Sequence, residues 1–474
     1  MQVDLGQLDA DAAALAKLGY RQELRRGLGP FESFALSFSI ISVLTGAVQL
    51  YGWGLKHGGP FGVVAGWVLV SLLTLPMALS LAQLASAYPT AGALYHWATI
   101  LGGPGWGFAT AWLNTLGQVA ITASIDFGLA QLAAAMLGLG DGQPTVLALY
   151  ALILVSHAGL NHIGVTAVEL LNRISAWYHL LGVALAVGAL ALWAPLQPLA
   201  FLGQMTSTEP VYALGFVLAL LQAQWTFTGY DASAHVTEET LDPTRAAPKG
   251  IVSSVVVSAV AGLLLVTMVT LAIVDLPALM ALPDAEVFPA VLRQALGQRV
   301  GGALVWMCVG AMWFCGLGSL TSNSRMLYAF ARDGGVPQAQ RLAAVSPRFQ
   351  TPHVALWVCA LAAWLLALWA EAYAAMTALS TIALYASYAL PVWLGARAKA
   401  RGRWRQFGPF ALGRWSAPLN ALAVGWTLIV LVLFVLPPNQ LAGYTFGATL
   451  VLLAAYWLGY QRARFAPPVR GLDG

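Results

Sequence analysis

The stretch Trp225-Thr-Phe-Thr-Gly-Tyr-Asp-Ala-Ser233 lies within an apolar run and puts glycine and hydroxyl groups where a membrane helix would otherwise be continuous. A second stretch of the same character, Ser37-Phe-Ser-Ile-Ile-Ser-Val-Leu-Thr-Gly46, interrupts the first apolar run. Gly46 and Gly229 fall at similar depths in the first and sixth runs, which implies five spans followed by five more. Paired interruptions at matching positions of two halves are a sequence mark of a transporter binding site. An unwound turn inside a bilayer must satisfy its freed N–H and C=O groups, and a polar substrate or ion in a water-lined cavity can do so. From these stretches alone, glycine kinks re-satisfied by neighbouring helices are an equal reading.

The rest of the chain points to a bilayer as its solvent. Of 474 residues, 59% are apolar and 9% charged, against about 25% charged in soluble domains. The 23 basic and 19 acidic residues crowd into the tails and short loops. The apolar runs between them are ~20 residues long, enough to cross a bilayer. Soluble enzymes and nucleic-acid binders are thereby excluded, and the net charge of +4 reports on sidedness rather than on a polyanionic partner. Twelve spans are expected, at 31–55, 61–85, 106–138, 144–160, 171–193, 210–234, 250–274, 302–331, 353–370, 372–395, 417–436 and 441–461. A polar break near Glu371 joins the ninth and tenth as a tight hairpin. With the N-terminus inside, twenty Lys and Arg lie inside, while Lys56, Arg293 and Arg299 lie outside. That asymmetry puts both termini in the cytoplasm.

Residues 1–30 read as a polar, helical cytoplasmic lead-in, 31–395 as a ten-span core, and 396–474 as two additional spans with a cytoplasmic tail. Residues 283–299 alternate Val287, Val291, Leu292 and Leu296 with charged positions, the pattern of an amphipathic segment on the outer mouth. Gly62 and Gly66 form a small-xxx-small pair suited to close helix packing. Cys308, Cys315 and Cys359 all sit in apolar runs, so neither a disulfide framework nor a metal-ligand spacing is present.

Several motifs resemble one family. They are Phe227-Thr-Gly-Tyr-Asp-Ala-Ser-Ala-His-Val-Thr-Glu-Glu-Thr240 with Asp242-Pro-Thr-Arg-Ala-Ala-Pro248, Tyr88-Pro-Thr-Ala-Gly-Ala-Leu-Tyr95, and Ser324-Arg-Met-Leu-Tyr-Ala-Phe-Ala-Arg-Asp333. Together they resemble the amino acid–polyamine–organocation (APC) superfamily of transporters, most closely its GABA and choline permease branch. The likeness covers spans one to eight well and nine to twelve loosely. It implies an all-α integral membrane fold: the LeuT-like 5+5 inverted repeat with broken helices one and six. One departure stands out. Many amino-acid permeases of the superfamily carry Gly-Ser-Gly at the first break, where this chain has Leu44-Thr45-Gly46. The leucine narrows the space for a substrate carboxylate.

The resemblance implies that substrate lies between the two breaks, lined by Ser42, Thr45, Gly46, Trp225, Phe227, Thr228 and Gly229. The N–H groups of Thr45 and Gly46 would open a half-helix whose N-terminus attracts an anion. Carbonyls around Trp225 and Thr228 would accept from an ammonium. Along span three, Thr115, Gln118, Thr122 and Asp126 follow three- and four-residue steps and share one face. Such a polar stripe in a membrane helix meets a cavity or a partner helix. By the resemblance, Thr122 is a substrate contact. Asp231 either binds the cationic end of the substrate or caps the second half of span six. Tyr385 and Tyr388 either close the pocket or pack.

His179 occupies a position where some relatives carry lysine in place of a bound sodium ion, with Ser319 implied as its neighbour. An imidazole changes charge near physiological pH, as a proton coupler must. Neither a phosphate-binding loop nor a zinc motif is present, so no cofactor, nucleotide or metal is expected. The expected function is a plasma-membrane secondary transporter for an amino acid or GABA-like amine, coupled to protons. A choline or polyamine carrier and an amino-acid exchanger are the alternatives. The expected partners are that substrate, protons and the lipid bilayer.

Overall fold

The structure is a computed structural model that describes residues 5–140, 142–368, 373–435, 437 and 439–468. Its regular elements are all helical apart from one isolated bridge between Leu28 and Thr240. In chain order the helices are α1 (Leu5–Lys17), α2 (Pro30–Ile41), α3 (Val43–Ala87), α4 (Ala93–Gly102), α5 (Pro104–Leu137) and α6 (Gln143–His162). There follow α7 (Val165–Trp193), α8 (Tyr212–Thr226), α9 (Ala232–His235), α10 (Pro243–Leu271), α11 (Leu276–Met280) and α12 (Asp284–Arg332). The chain closes with α13 (Ala339–Leu342), α14 (His353–Ala367), α15 (Tyr373–Ala400), α16 (Ser416–Leu433) and α17 (Gln440–Gly459).

Each of the twelve expected segments carries helix. Among the described residues nine helices are individually long and apolar enough to cross a membrane, and Pro30–Gly46 and His353–Ala367 are shorter apolar helices. The hairpin expected at Glu371 lies outside the described residues. α3 runs through two segments, because Gly59 adopts φ 64° just ahead of Pro60 and turns the chain back. α12 bends in the same way at Gly297, where φ is 76°. Ahead of that bend, Val287, Val291 and Leu292 are buried while Glu286 is exposed, so 284–296 is the helical, amphipathic part of the segment expected at 283–299.

The helix exteriors are apolar. α10 exposes Val256, Val260 and Leu264 in four-residue steps while burying Val255, Val266 and Val269. Lipid, as apolar as a leucine side chain, gives no drive to bury such a face, and helices associate through close packing instead. α3 shows how. A Cβ on Gly58 would lie 2.6 Å from the Ala219 Cβ, and one on Gly54 2.2 Å from Gln222 Oε1, so α8 lies directly on this glycine stripe. Gly62 and Gly66 extend the same seam against Ala219 and Leu220.

Candidate substrate site

The interruptions read from the sequence are both real, and they touch. α2 stops at Ile41 because Ser42 adopts a left-handed conformation, φ 31° and ψ 82°. Its own side chain restarts the helix: Ser42 Oγ accepts the Thr45 N–H at 3.3 Å and lies 2.5 Å from Thr45 Oγ1. The break therefore falls at Ser42, ahead of the expected Leu44-Thr45-Gly46. The N–H groups of Thr45 and Gly46 already donate to the Ser42 carbonyl, at 2.9 and 3.1 Å. They belong to the first turn of α3 and are not the free anion donors expected.

Gly46 has a different use. A Cβ there would sit 2.0 Å from Thr226 Oγ1, so the two broken helices meet at this position. In the sixth segment α8 ends at Thr226 and Gly229 takes φ 82°. A Cβ on Gly229 would lie 2.2 Å from Ile40 Cγ2. Both the backbone angle and the approach of α2 demand glycine.

Much of the opened backbone is held by side chains. The Thr228 hydroxyl donates to the Trp225 carbonyl at 2.7 Å, Tyr385 to the Phe227 carbonyl at 2.9 Å, and Ser37 to the Tyr230 carbonyl at 2.9 Å. The Gly229 N–H donates to Tyr388 Oη at 3.1 Å. The carbonyls expected to face an ammonium thus already accept hydroxyls, although each carbonyl keeps a second lone pair. Tyr385 and Tyr388 act on the break through their hydroxyls. Phe227 packs on Trp67, ring centroids 5.1 Å apart.

Asp231 does not cap α9. Its backbone is right-handed helical and its side chain makes no cap hydrogen bond. The carboxylate instead accepts from Tyr388 Oη at 2.7 Å and Asn114 Nδ2 at 3.4 Å, and lies 3.1 Å from His235 Nε2. The stripe on α5 is buried throughout and faces partner helices. Thr122 Oγ1 lies 2.7 Å from Ser319 Oγ, and Gln118 Nε2 donates to Ser322 Oγ at 3.1 Å. Asp126 Oδ2 meets His157 Nδ1 of α6 at 3.1 Å, with both side chains fully buried. Ser319 is therefore bonded across to α5 rather than to His179, because this face of α12 turns toward α5.

His179 reaches the first break. Its Nδ1 lies 2.8 Å from the Ser175 carbonyl and its Nε2 2.7 Å from Ser42 Oγ. The carbonyl can only accept, so Nδ1 carries hydrogen. Nε2 is then free to accept the Ser42 hydroxyl, and a neutral ring satisfies both bonds.

On the second break Trp225 Nε1 and Tyr230 Oη have no hydrogen-bond partner among the described residues, nor has Oδ1 of Asn114, whose Nδ2 reaches Asp231. Buried polar groups are otherwise nearly always paired, so a cluster of orphans calls for a bound polar molecule or water. Paired interruptions in contact, with unpartnered polar groups beside them, mark the candidate site. A family model described as "Amino acid permease" matches residues 28–458. The amino-acid permease BAT1 of Arabidopsis thaliana is 36% identical over 98% of this chain and 97% of its own length. The GABA-specific permease of Saccharomyces cerevisiae is 26% identical over 92% of this chain and 80% of its own. The chain belongs to the amino acid permease family.

It is an amino-acid transporter rather than an enzyme, and the permease is closed at one end. There Arg325 forms a bidentate pair with Glu239, both bonds 3.0 Å, and Arg332 another with Glu238, both 2.9 Å. The N-terminal segment is laced over them: the N–H groups of Gly27 and Leu28 donate to the Glu239 carbonyl at 2.9 Å, and Gln22 Nε2 to that of Glu238 at 2.7 Å. At the opposite end of the permease a cavity of about 570 Å³ descends between α3, α5 and α12, lined by Gln49, Gln131, Glu286 and Arg293 among others.

His157, His235 and Asn114 join this region only through packing, by their contacts to Asp126 and Asp231. His157 was detectable, because a histidine and an aspartate inside membrane segments are each other's natural partners. His235 follows Asp231 by four residues, the spacing of neighbours on a helix face.

Proposed function

We propose that this permease carries a small amine-bearing amino acid, GABA-like in size, between its two breaks by alternating access, and that protons drive it. The observation that carries this reading is the contact of the two helix breaks, Gly46 on Thr226 and Gly229 on Ile40, beside the unpartnered polar atoms of Trp225 and Tyr230. A substrate with an ammonium and a carboxylate supplies donors and acceptors to a site holding both. Ser42, Thr45, Gly46, Thr122, Asp126, Trp225, Phe227, Thr228, Gly229 and Asp231 are the residues of this region, with Ser42, Trp225 and Thr228 nearest the opened backbone. The reading places the permease in the plasma membrane with both termini cytoplasmic, as the distribution of Lys and Arg favours. The closed end is then cytoplasmic, the cavity opens outward, and the two halves form the inverted repeat. A binding screen of amines and amino acids on the purified permease, followed by counterflow of the best binder, tests the reading. Preference for choline or a polyamine over every amino acid would overturn it.

Coupling is assigned to His179 at the first break. A second proton on the ring makes Nε2 a donor to Ser42 Oγ, which turns the Ser42 hydrogen toward Thr45 Oγ1 and re-sets the capping of α3. A charge moved through the membrane field is worth ~2.3 kcal/mol per 100 mV. His179→Ala is expected to lose accumulation driven by an imposed pH gradient while retaining exchange in proteoliposomes. Equal accumulation by wild type and variant would make His179 purely structural.

Acidic amino acids are expected to be poor substrates. A second carboxylate needs a cation at the breaks, but Arg173 is paired with Glu32 and Glu169, and Arg325 with Glu239. The region offers carboxyl groups instead, Asp126 beside His157 and Asp231 beside His235. Glutamate uptake matching that of GABA or lysine would contradict this.

A further inference from the structure

A second histidine stands at the other break, and its surroundings dictate its protonation. His235 Nδ1 lies 3.2 Å from the Ala91 carbonyl and Nε2 lies 3.1 Å from Asp231 Oδ2. Both neighbours are acceptors. A carbonyl cannot donate, so Nδ1 carries hydrogen, and the Nε2 contact needs one more, from the ring or from the carboxyl. The unit therefore holds one proton more than a neutral imidazole beside a carboxylate. Both side chains are fully buried, where an isolated carboxylate is costly and a proton-neutralised pair is not.

The unit is wired at both ends. Asp231 Oδ1 accepts from Tyr388 Oη, which in turn accepts the Gly229 N–H, so the carboxylate is two hydrogen bonds from the glycine of the break. On the other side Ala91 gives its N–H to Glu238 Oε1 at 3.0 Å, and Glu238 holds Arg332. One proton thus sits between the broken sixth segment and the closed end.

We propose that Asp231 and His235 form a proton-binding clasp, a coupling site additional to His179, which holds the closed end shut while protonated and parts when the proton leaves. When the clasp closes it takes one proton from water. When that proton returns to water, an imidazole lone pair faces either the Asp231 carboxylate or the Ala91 carbonyl, and that contact becomes repulsive. α9 and the 88–92 loop then separate. The inference deepens the proton-coupled reading above and rests on it for its role in transport.

Every element packed on α9 bears on the clasp. From α15 comes Tyr388, and from α9's own approach Tyr230, whose ring lies against it. α12 contributes Arg325 and Arg332, both engaged by Glu239 and Glu238. α2 and α10 face α9 with Ser33, Ser37 and Gly250, which are uncharged. Two further groups lie nearby. Burial pushes His96 down to about 4, so it stays neutral as the imidazole range is crossed. Burial also raises the Asp333 carboxyl to about 6, against the opposing pull of Arg332 and the Tyr20 and Tyr95 hydroxyls. Rising pH ionises Asp333 in a place that disfavours its charge, which loosens the closed end in the same direction as the clasp. A control must separate the two.

The test is hydrogen–deuterium exchange of the full-length permease over a series of pH values, corrected for the intrinsic pH dependence. Exchange in residues 86–96 and 230–240 is expected to accelerate on the order of tenfold per pH unit, the slope for loss of one proton. The acceleration should persist in Asp333→Asn and disappear in His235→Gln. A flat wild-type profile, which requires no variant to fold, overturns the clasp, as does a slope that His235→Gln retains. With labelled GABA or lysine supplied outside proteoliposomes, His235→Gln should keep counterflow and lose most accumulation driven by a pH gradient. Undiminished accumulation by this variant also overturns the clasp. Absence of counterflow in the wild type would instead remove the transport reading, and the exchange experiment would still decide the clasp.

Discussion

Gly229→Val abolishes uptake while the permease still reaches the membrane: this is the largest single effect expected on transport. Gly229 has φ 82°, and a Cβ there would overlap Ile40 Cγ2. A left-handed conformation costs a side-chain-bearing residue roughly 1–2 kcal/mol, and a β-branched one more. Overpacking adds about 1–3 kcal/mol. Together these displace the turn whose N–H meets Tyr388, so uptake should fall on the order of 100-fold, since each tenfold corresponds to ~1.4 kcal/mol. Membrane yield of the variant, measured beside initial uptake, separates a lost site from a lost fold. Normal uptake would mean that the turn at Gly229 plays no part in the carrier cycle.

The second large effect concerns stability. Arg325 and Glu239 are almost wholly buried, and the guanidinium meets the carboxylate through two bonds. Removing one partner strands the other charge and costs about 3–5 kcal/mol, whereas replacing both with apolar residues of similar volume is often neutral. Arg325→Ala should therefore lower the thermal midpoint of the purified permease markedly, and Arg325→Met/Glu239→Leu should recover most of the loss. The comparison also reads the function of the pair. If the double variant is stable but transports slowly, the charges serve opening and closing of that end rather than folding. Thermal unfolding of the single and double variants in one detergent checks this, and a single variant as stable as the wild type would contradict it.

The bilayer fold was legible because its signals are local. Apolar run length, the Lys and Arg pattern and the two hydroxyl-rich interruptions each need only a window of sequence, and each run carries helix among its described residues. The φ of 82° at Gly229 was legible for the same reason, since little else tolerates that angle. Ser42 was harder. Its break precedes Gly46 because a serine hydroxyl can cap the helix that follows it, and glycine drew attention to the wrong residue. Gly46 turned out to serve helix contact with Thr226, a fact about distance that no single run contains.

Pairings across helices were the least legible. Asp126 was recognisable as needing a partner, but its partner His157 lies on α6, and only packing brings the two to 3.1 Å. Ser319 was assigned toward His179, whereas the rotation of α12 turns it to Thr122. His235 shows the same limit within a motif, because its meaning depends on the Ala91 carbonyl, far away in sequence.

On the proposed function the two breaks bind one amino-acid substrate and pass it from side to side. Counterflow in proteoliposomes tests it most directly. Vesicles containing the purified permease are preloaded with unlabelled GABA or lysine, and entry of the labelled compound is followed in wild type and Gly229→Val. Saturable, transient accumulation of label by the wild type is expected, inhibited by other small amino acids and absent in the variant. Wild-type entry that is unsaturable and indifferent to preloading, or a variant that exchanges as the wild type does, would contradict it.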